Sequence, residues 1–242
     1  EVIRAESMRV LAGNRWQGQL QATLVLGMLE HKPAADRLVE LLDAPRTDVM
    51  IHAAWGLRKL AEPRTIPAIL DKLRRHSTEQ RTRTIPGVDD QVAHLLEFCG
   101  TMLVEEAKPL MTAYVPKDIT RTMDNSRGAA IWALGHLQKG KLDEPLADAL
   151  IARVLDDDTK PFESPLVKQM SAVTLARMKA TKYGESLKRS LPMHAQASSL
   201  DLATRWAARE LTGEDIPQPV PRRYPDGVWF LEPIVAPTRI QE

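Results

Sequence analysis

One cysteine in 242 residues rules out an internal disulfide framework and any metal site built on several thiolates. Phe and Tyr are scarce, at three each, and strand-like alternation of apolar and polar residues is nearly absent. No apolar run approaches the about 18 residues of a membrane span, and no signal peptide is recognisable. A formal net charge of +1 gives no global attraction for nucleic acid or an anionic membrane. Also missing are a glycine-rich phosphate loop, a nucleophile elbow and paired histidines spaced for zinc on one helix face. The first residue is Glu1 rather than Met, as expected of a processed product or an excised piece. These features describe a soluble chain, with the compartment left open between cytoplasm and periplasm.

What is present is repetition. "QATLVLGML" (21–29), "HAAWGLRKL" (52–60), "AAIWALGHL" (129–137), "MSAVTLARM" (170–178) and "ATRWAAREL" (203–211) align as one nine-residue motif. Small residues stand near positions two and three, an apolar or small residue at six, and Leu or Met at nine. A weaker copy, "HLLEFCGTM" (94–102), lies between the second and third, and the copies advance by roughly 31 to 42 residues. Ahead of most copies runs a second amphipathic segment, as in "AADRLVELLD" (34–43), "TIPAILDKLRR" (65–75), "EEAKPLMTAY" (105–114), "PLADALIARVL" (145–155) and "YGESLKRSL" (183–191). The unit is helix A, loop, helix B. Asp48, Asn125 with Ser126, and Ser164 with Pro165 mark B-helix starts. Pro63, Pro67, Pro109 and Pro145 sit near A-helix starts, where a missing N–H costs little.

The stretch "AADRLVELLDAPRTDVMIHAAWGLRKL" (34–60) resembles the HEAT-repeat pattern in its short bacterial form, also called the PBS-lyase type. The resemblance covers roughly residues 1 to 213 and is poor around 80 to 104. It implies an all-α fold, a right-handed α-solenoid of about six HEAT-like helix pairs. It does not imply a reaction. After Gly213, which suits a helix C-cap, residues 214–242 form an extended Pro-rich tail that cannot continue the stack. Its apolar "VWFL", containing Trp229, Phe230 and Leu231, is expected either to cap the last repeat or to dock a partner or a following domain.

Later A-to-B turns are longer than in the short repeats: 76–88, 115–126, 156–165 and 192–199. All such turns share one edge of a solenoid, so they are expected to collect on one rim. The first two bring Lys72, Arg74, Arg75, Arg81, Arg83, Lys117 and Arg121, a candidate basic rim for phosphate or carboxylate. Asp156, Asp157 and Asp158 follow, and no aromatics interleave, which favours a solvated charged edge over a nucleic-acid surface. The Asp triplet lacks the alternating spacing, glycine and distal Glu of a calcium loop.

Trp55, Trp132 and Trp206 share position four of the motif, filled by Leu24 and Val173 elsewhere. At about 100° per residue, Trp55 points to the polar flank with His52 and Lys59, away from the Ala53, Leu57 and Leu60 stripe. One reading has each ring lying across small residues (Gly128, Ala129, Ala203) and sealing the groove to the next repeat. The other has the rings as separate anchors, about 20 Å apart across two repeats, for an extended partner. His52, Trp55, Lys59, Trp132, His136, Trp206 and Arg209 are thus the candidate partner-binding residues, and a Trp55→Ala, Trp132→Ala pair is expected to weaken binding while sparing the helical melt.

The function these features describe is non-catalytic: an interaction module gripping a protein partner, or a neighbouring domain of its own chain, through its concave face and enlarged loops. No catalytic residue, cofactor or metal is expected, and nucleic acid is disfavoured. Cys99 stands in the slot of Leu57, Leu134 and Leu175, as an inert core thiol would. Three enzyme classes share the architecture. HEAT-like DNA glycosylases are strongly basic along the concave side, and this chain is nearly neutral. Bilin lyases share the repeat type, and nothing beyond the repeats points to a chromophore. The HEAT-like metal hydroxylase that modifies lysine needs His-Glu dipeptides, and there are none.

Overall fold

The computed structural model describes residues 1–117, 123–158, 161–217 and 219. These residues hold twelve α-helices and no β-strand: α1 (Val2–Ala12), α2 (Trp16–Met28), α3 (Ala35–Leu41), α4 (Thr47–Leu60), α5 (Ile66–Thr82), α6 (Val88–Thr101), α7 (Lys108–Thr112), α8 (Asp124–Leu137), α9 (Glu144–Val154), α10 (Pro165–Arg177), α11 (Gly184–Ser190) and α12 (Ser199–Thr212). Odd-numbered helices are the A members and even-numbered helices the B members, so the described residues form a stack of six helix pairs. Every B helix carries one copy of the motif, including the weak copy, which lies in α6.

The B helices pack directly on one another along the whole stack, whereas the A helices scarcely meet. The closely spaced row is the inner edge of the curve and the splayed row the outer. Position six is the centre of each repeat: Leu26, Leu57, Cys99, Leu134, Leu175 and Ala208 are all fully buried. Each buried leucine contributes about 1.5–3 kcal/mol. Burial pushes the Cys99 thiol up to about 12, so it behaves as a small apolar filler.

Several boundaries differ from expectation. Residues 76–88 were expected to be a loop, yet α5 runs on to Thr82. Ser77, Thr78 and Thr82 turn their hydroxyls back onto backbone carbonyls of their own helix, so these polar residues remain helical without partners elsewhere. Arg46 rather than Asp48 is the N-cap of α4, and Asp48 lies in the first turn. Helix α8 begins at Asp124, and the N–H groups of Asn125 and Ser126 are accepted by Asp89 of α6, at 3.0 Å each. One repeat caps the next. Ser164 does precede α10, with Pro165 in the first turn, but its side chain makes no capping bond. Ser198 caps α12 in the ordinary way, accepting from the Asp201 N–H at 3.1 Å.

Gly213 ends α12 in the left-handed conformation, with φ of 74°. The residues that follow turn back along α12. Ile216 is buried, Glu214 pairs with Lys188, and Arg205 Nη1 donates to the Pro217 carbonyl at 3.0 Å. Trp229, Phe230 and Leu231 lie outside the described residues.

Candidate functional site

The rule that joins consecutive B helices explains where the tryptophans go. Position seven of one copy faces position four of the next. A Cβ added at Gly27 would lie 2.6 Å from Trp55 Cζ3, and one at Gly100 would lie 3.1 Å from Trp132 Cζ3 and 2.7 Å from the Ala133 Cα. The rings therefore lie on glycines of the preceding repeat. Gly128, expected to receive a ring, instead faces Leu166 of the following one. Between α4 and α6 the same two positions hold an ion pair, Arg58 with Glu97. Trp132 and Trp206 both pack against the core from half-buried positions, and Trp55 is half-buried on Gly27. Each ring is part of the joint between repeats and also shows an edge on the inner face.

Around Trp132 that inner face deepens into a groove of about 350 Å³ between α6, α8 and α10. Ala93, Ala129, Leu166 and Met170 give it apolar walls, and Asp90, His94 and Glu97 line the α6 side. His94 Nδ1 donates to Glu97 Oε2 at 3.2 Å. Partial burial works against the Glu97 charge, but the His94 hydrogen bond and the Arg58 charge outweigh it and hold the carboxyl below its ordinary range. Asn125 Nδ2 donates to Asp90 Oδ1 at 2.8 Å across the rim. On the far side of the ring, His136 lies 4.0 Å from Trp132, centroid to centroid, and the Arg177 guanidinium sits 5.5 Å from it. Burial, then the Arg177 and Lys139 charges, push the His136 pKa down, so the imidazole is neutral at pH 7. The arrangement can hold an apolar side chain against Trp132 and Met170 with a polar group beside Glu97.

The remaining candidates are distributed as follows. His52 Nδ1 donates to the Asp48 carbonyl at 2.7 Å, and Lys59 Nζ reaches over the Trp55 ring at 5.8 Å, so these three share one patch of α4. Arg209 is exposed beside Glu210 at 3.8 Å, on the end face of the stack rather than along the tryptophan row. The basic rim is largely neutralised. Lys72 is buried and bonded to Asp43 at 2.6 Å, Arg75 lies 3.6 Å from the same carboxylate, and Arg74 lies 2.7 Å from Asp71. Arg83 stands 4.0 Å from Glu79, and Lys117 pairs with Asp156 at 2.6 Å and Asp158 at 3.0 Å. Arg74 and Arg75 belong to helix α5, not to a loop. The Arg81 side chain and Arg121 lie outside the described residues.

Glu97, His94, Asp90 and Met170 of the groove were not anticipated. The signal was available for one of them, since Glu97 occupies position four in the weak copy. Nor was the buried cluster behind the groove, in which Glu163 accepts from Arg127 Nη1 at 2.7 Å, Arg127 Nη2 at 3.0 Å and Arg153 Nη1 at 3.1 Å. Arg127 also donates to the Tyr114 and Val115 carbonyls, at 3.2 and 3.3 Å. Among the described residues no three His, Cys, Asp or Glu side chains converge as a metal site would require, and no helix is long and apolar enough to cross a membrane.

With this geometry in hand, comparison with solved structures defines the class: an α-solenoid built from HEAT-like helix pairs. The chain superposes on the complex of CpcE and CpcF of phycocyanin lyase from Nostoc sp. PCC7120 with a TM-score of 0.52 and 17% identity, over 86% of this chain and 82% of that one. Two engineered proteins match at TM-scores of 0.54, with 19% and 18% identity, covering 88% of this chain and 97% and 100% of theirs. No protein-family model matches the chain, and no curated protein matches its sequence. At such identities the likeness is one of fold.

Proposed function

We propose that the chain is a non-catalytic recognition module that holds an extended segment of a protein partner along the inner face of its B helices. The observation that carries this reading is the groove beside Trp132, apolar on its α8 and α10 walls and carboxylate-lined on α6. Trp at the centre of a small apolar groove is the kind of residue that dominates binding energy at interfaces. Asp90 and Glu97 line the face that a DNA glycosylase would need to be basic, and repel phosphate. The deeply buried, protonated Cys99 offers no thiolate for attaching a chromophore. The match to a subunit of a two-protein complex accords with a protein partner, though it carries no residue-level argument.

A photo-crosslinking residue at Met170 tests this in the native cell, with the same residue at Ala149 on the outer row as the control. The expected result is one dominant adduct from Met170, lost when Ala93→Glu fills the groove, and none from Ala149. Equal labelling from both positions, or excision of alkylated bases by the purified protein, would overturn the reading.

A further inference from the structure

Two carboxylates line the α6 wall of the groove beside Trp132, and they are not equivalent. Glu97 is already engaged, since it pairs with Arg58 of α4 and accepts from His94 Nδ1 at 3.2 Å. Asp90 is exposed, and its Oδ1 accepts from the neutral Asn125 amide at 2.8 Å. Among the described residues no Lys or Arg lines this groove. Other depressions on the molecule differ: the one between α7 and α9 carries Lys117 and Arg153, and the one at the α2–α4 edge carries Arg37 and Arg46. The groove is therefore apolar on two walls and anionic on the third, with one carboxylate that no cation offsets.

The free carboxylate and the Trp132 ring stand at opposite ends of the groove. Asp90 lies in the first turn of α6 and is held there by Asn125, in the first turn of α8. From Asn125 to Trp132 the α8 axis advances by about 10 Å. Leu166, set against Gly128, and Met170 make the α10 wall between the two ends. On one face of an extended segment, side chains two positions apart are separated by about 7 Å. The stem of a lysine or arginine covers the rest, with its head left in water.

We infer that the partner segment carries a Lys or Arg close in sequence to the apolar residue that lies on Trp132, and that Asp90 receives its charge. This rests on the groove being the binding site and adds the chemistry of its occupant. The basic side chain lays its stem over Ala93 and Ala129 and brings its head to the free oxygen of Asp90. Glu97 cannot take that part, because Arg58 and His94 already hold it. An acidic segment meets Asp90 with no cation in the groove to offset it, so the same residue also rejects wrong partners. Asp90 is exposed, and its charge therefore acts on encounter and partner choice more than on total affinity.

The test incubates the purified full chain with a library of immobilised heptapeptides that lack cysteine. Peptides that bind the wild type more than the Ala93→Glu variant are sequenced. They are expected to be enriched about five-fold in Lys and Arg within about two to four positions of Leu, Ile, Met or an aromatic residue. Asp90→Asn should remove the preference for cations, and Asp90→Lys should turn it towards Asp and Glu, each leaving the apolar preference in place. Bound peptides with no preference for cations, or a preference that survives Asp90→Lys, overturn the inference while leaving the groove as the binding site. If the wild type binds no peptide more than Ala93→Glu does, the groove is not the binding site and the inference falls with it.

Discussion

The Trp55 ring lies across Gly27 so closely that a single methyl group on that glycine would come within 2.6 Å of the ring. A tryptophan that faces the polar flank of its own helix is thus apolar where it matters, against the neighbouring repeat. The same holds for Trp132 and Gly100. Truncating both rings is therefore expected to cost stability, about 1–3 kcal/mol for each half-buried ring, rather than to spare the melt. The groove substitution at Ala93 and the probe at Met170 take over as tests of binding.

Glycine substitutions should separate ring from backbone contacts. Gly100→Ala presses on the Ala133 Cα at 2.7 Å, which has nowhere to go, and should destabilise by about 1–3 kcal/mol despite the better helix propensity of alanine. Gly27→Ala meets only a ring edge and should cost less, with Trp55→Leu restoring the loss. Urea unfolding of the three variants decides the order.

Four B helices end on a residue other than glycine in the left-handed region: Glu30, Ala61, Leu103 and Lys179, with φ between 47° and 57°. The backbone beyond three of them closes the helix, as where His31 N–H donates to the Leu26 carbonyl at 2.9 Å. Each carries the steric cost of a Cβ in that conformation. Replacing any of them by glycine should stabilise the chain by about 0.5–1 kcal/mol, read from the thermal midpoint.

Glu163 is buried between two arginines, and Arg127 is buried with it. Glu163→Gln leaves the buried Arg127 without its counter-charge, while Arg153 keeps Asp156 at 3.8 Å, and should cost about 3–5 kcal/mol. Pairing Glu163→Leu with Arg127→Met should recover much of that loss in a denaturant titration, since Arg153 keeps Asp156 and no buried charge is then left unpaired.

Burial, reinforced by Lys72 and Arg75 against the opposing Glu79 hydrogen bond, depresses the His76 pKa, and burial with Arg177 and Lys139 does the same to His136. Protonation is then easier in the unfolded chain than in the folded one. Stability is full above about pH 6.5 and falls as pH drops below it, by at most about 1.4 kcal/mol per pH unit for each histidine. His136 is half-exposed, so His76 should dominate. Urea midpoints are expected to be lower at pH 5.5 than at pH 7.5, and His76→Gln should flatten the difference.

The nine-residue motif by itself determined the six B helices, their register and the buried sixth position, because burial against one's own pair repeats with a helical period that a linear sequence displays. The proline-marked A helices and the glycine stop at 213 were legible for the same local reason. The continuation of α5 through a polar stretch was not, since hydroxyls satisfied within their own helix leave no periodic trace. Nor were the pairing of position seven with position four, the Asp89 cap on α8, the neutralised rim or the groove. Most of these join residues roughly 28 or more positions apart through a packing geometry. Only the stacked structure decides which face of each helix meets its neighbour.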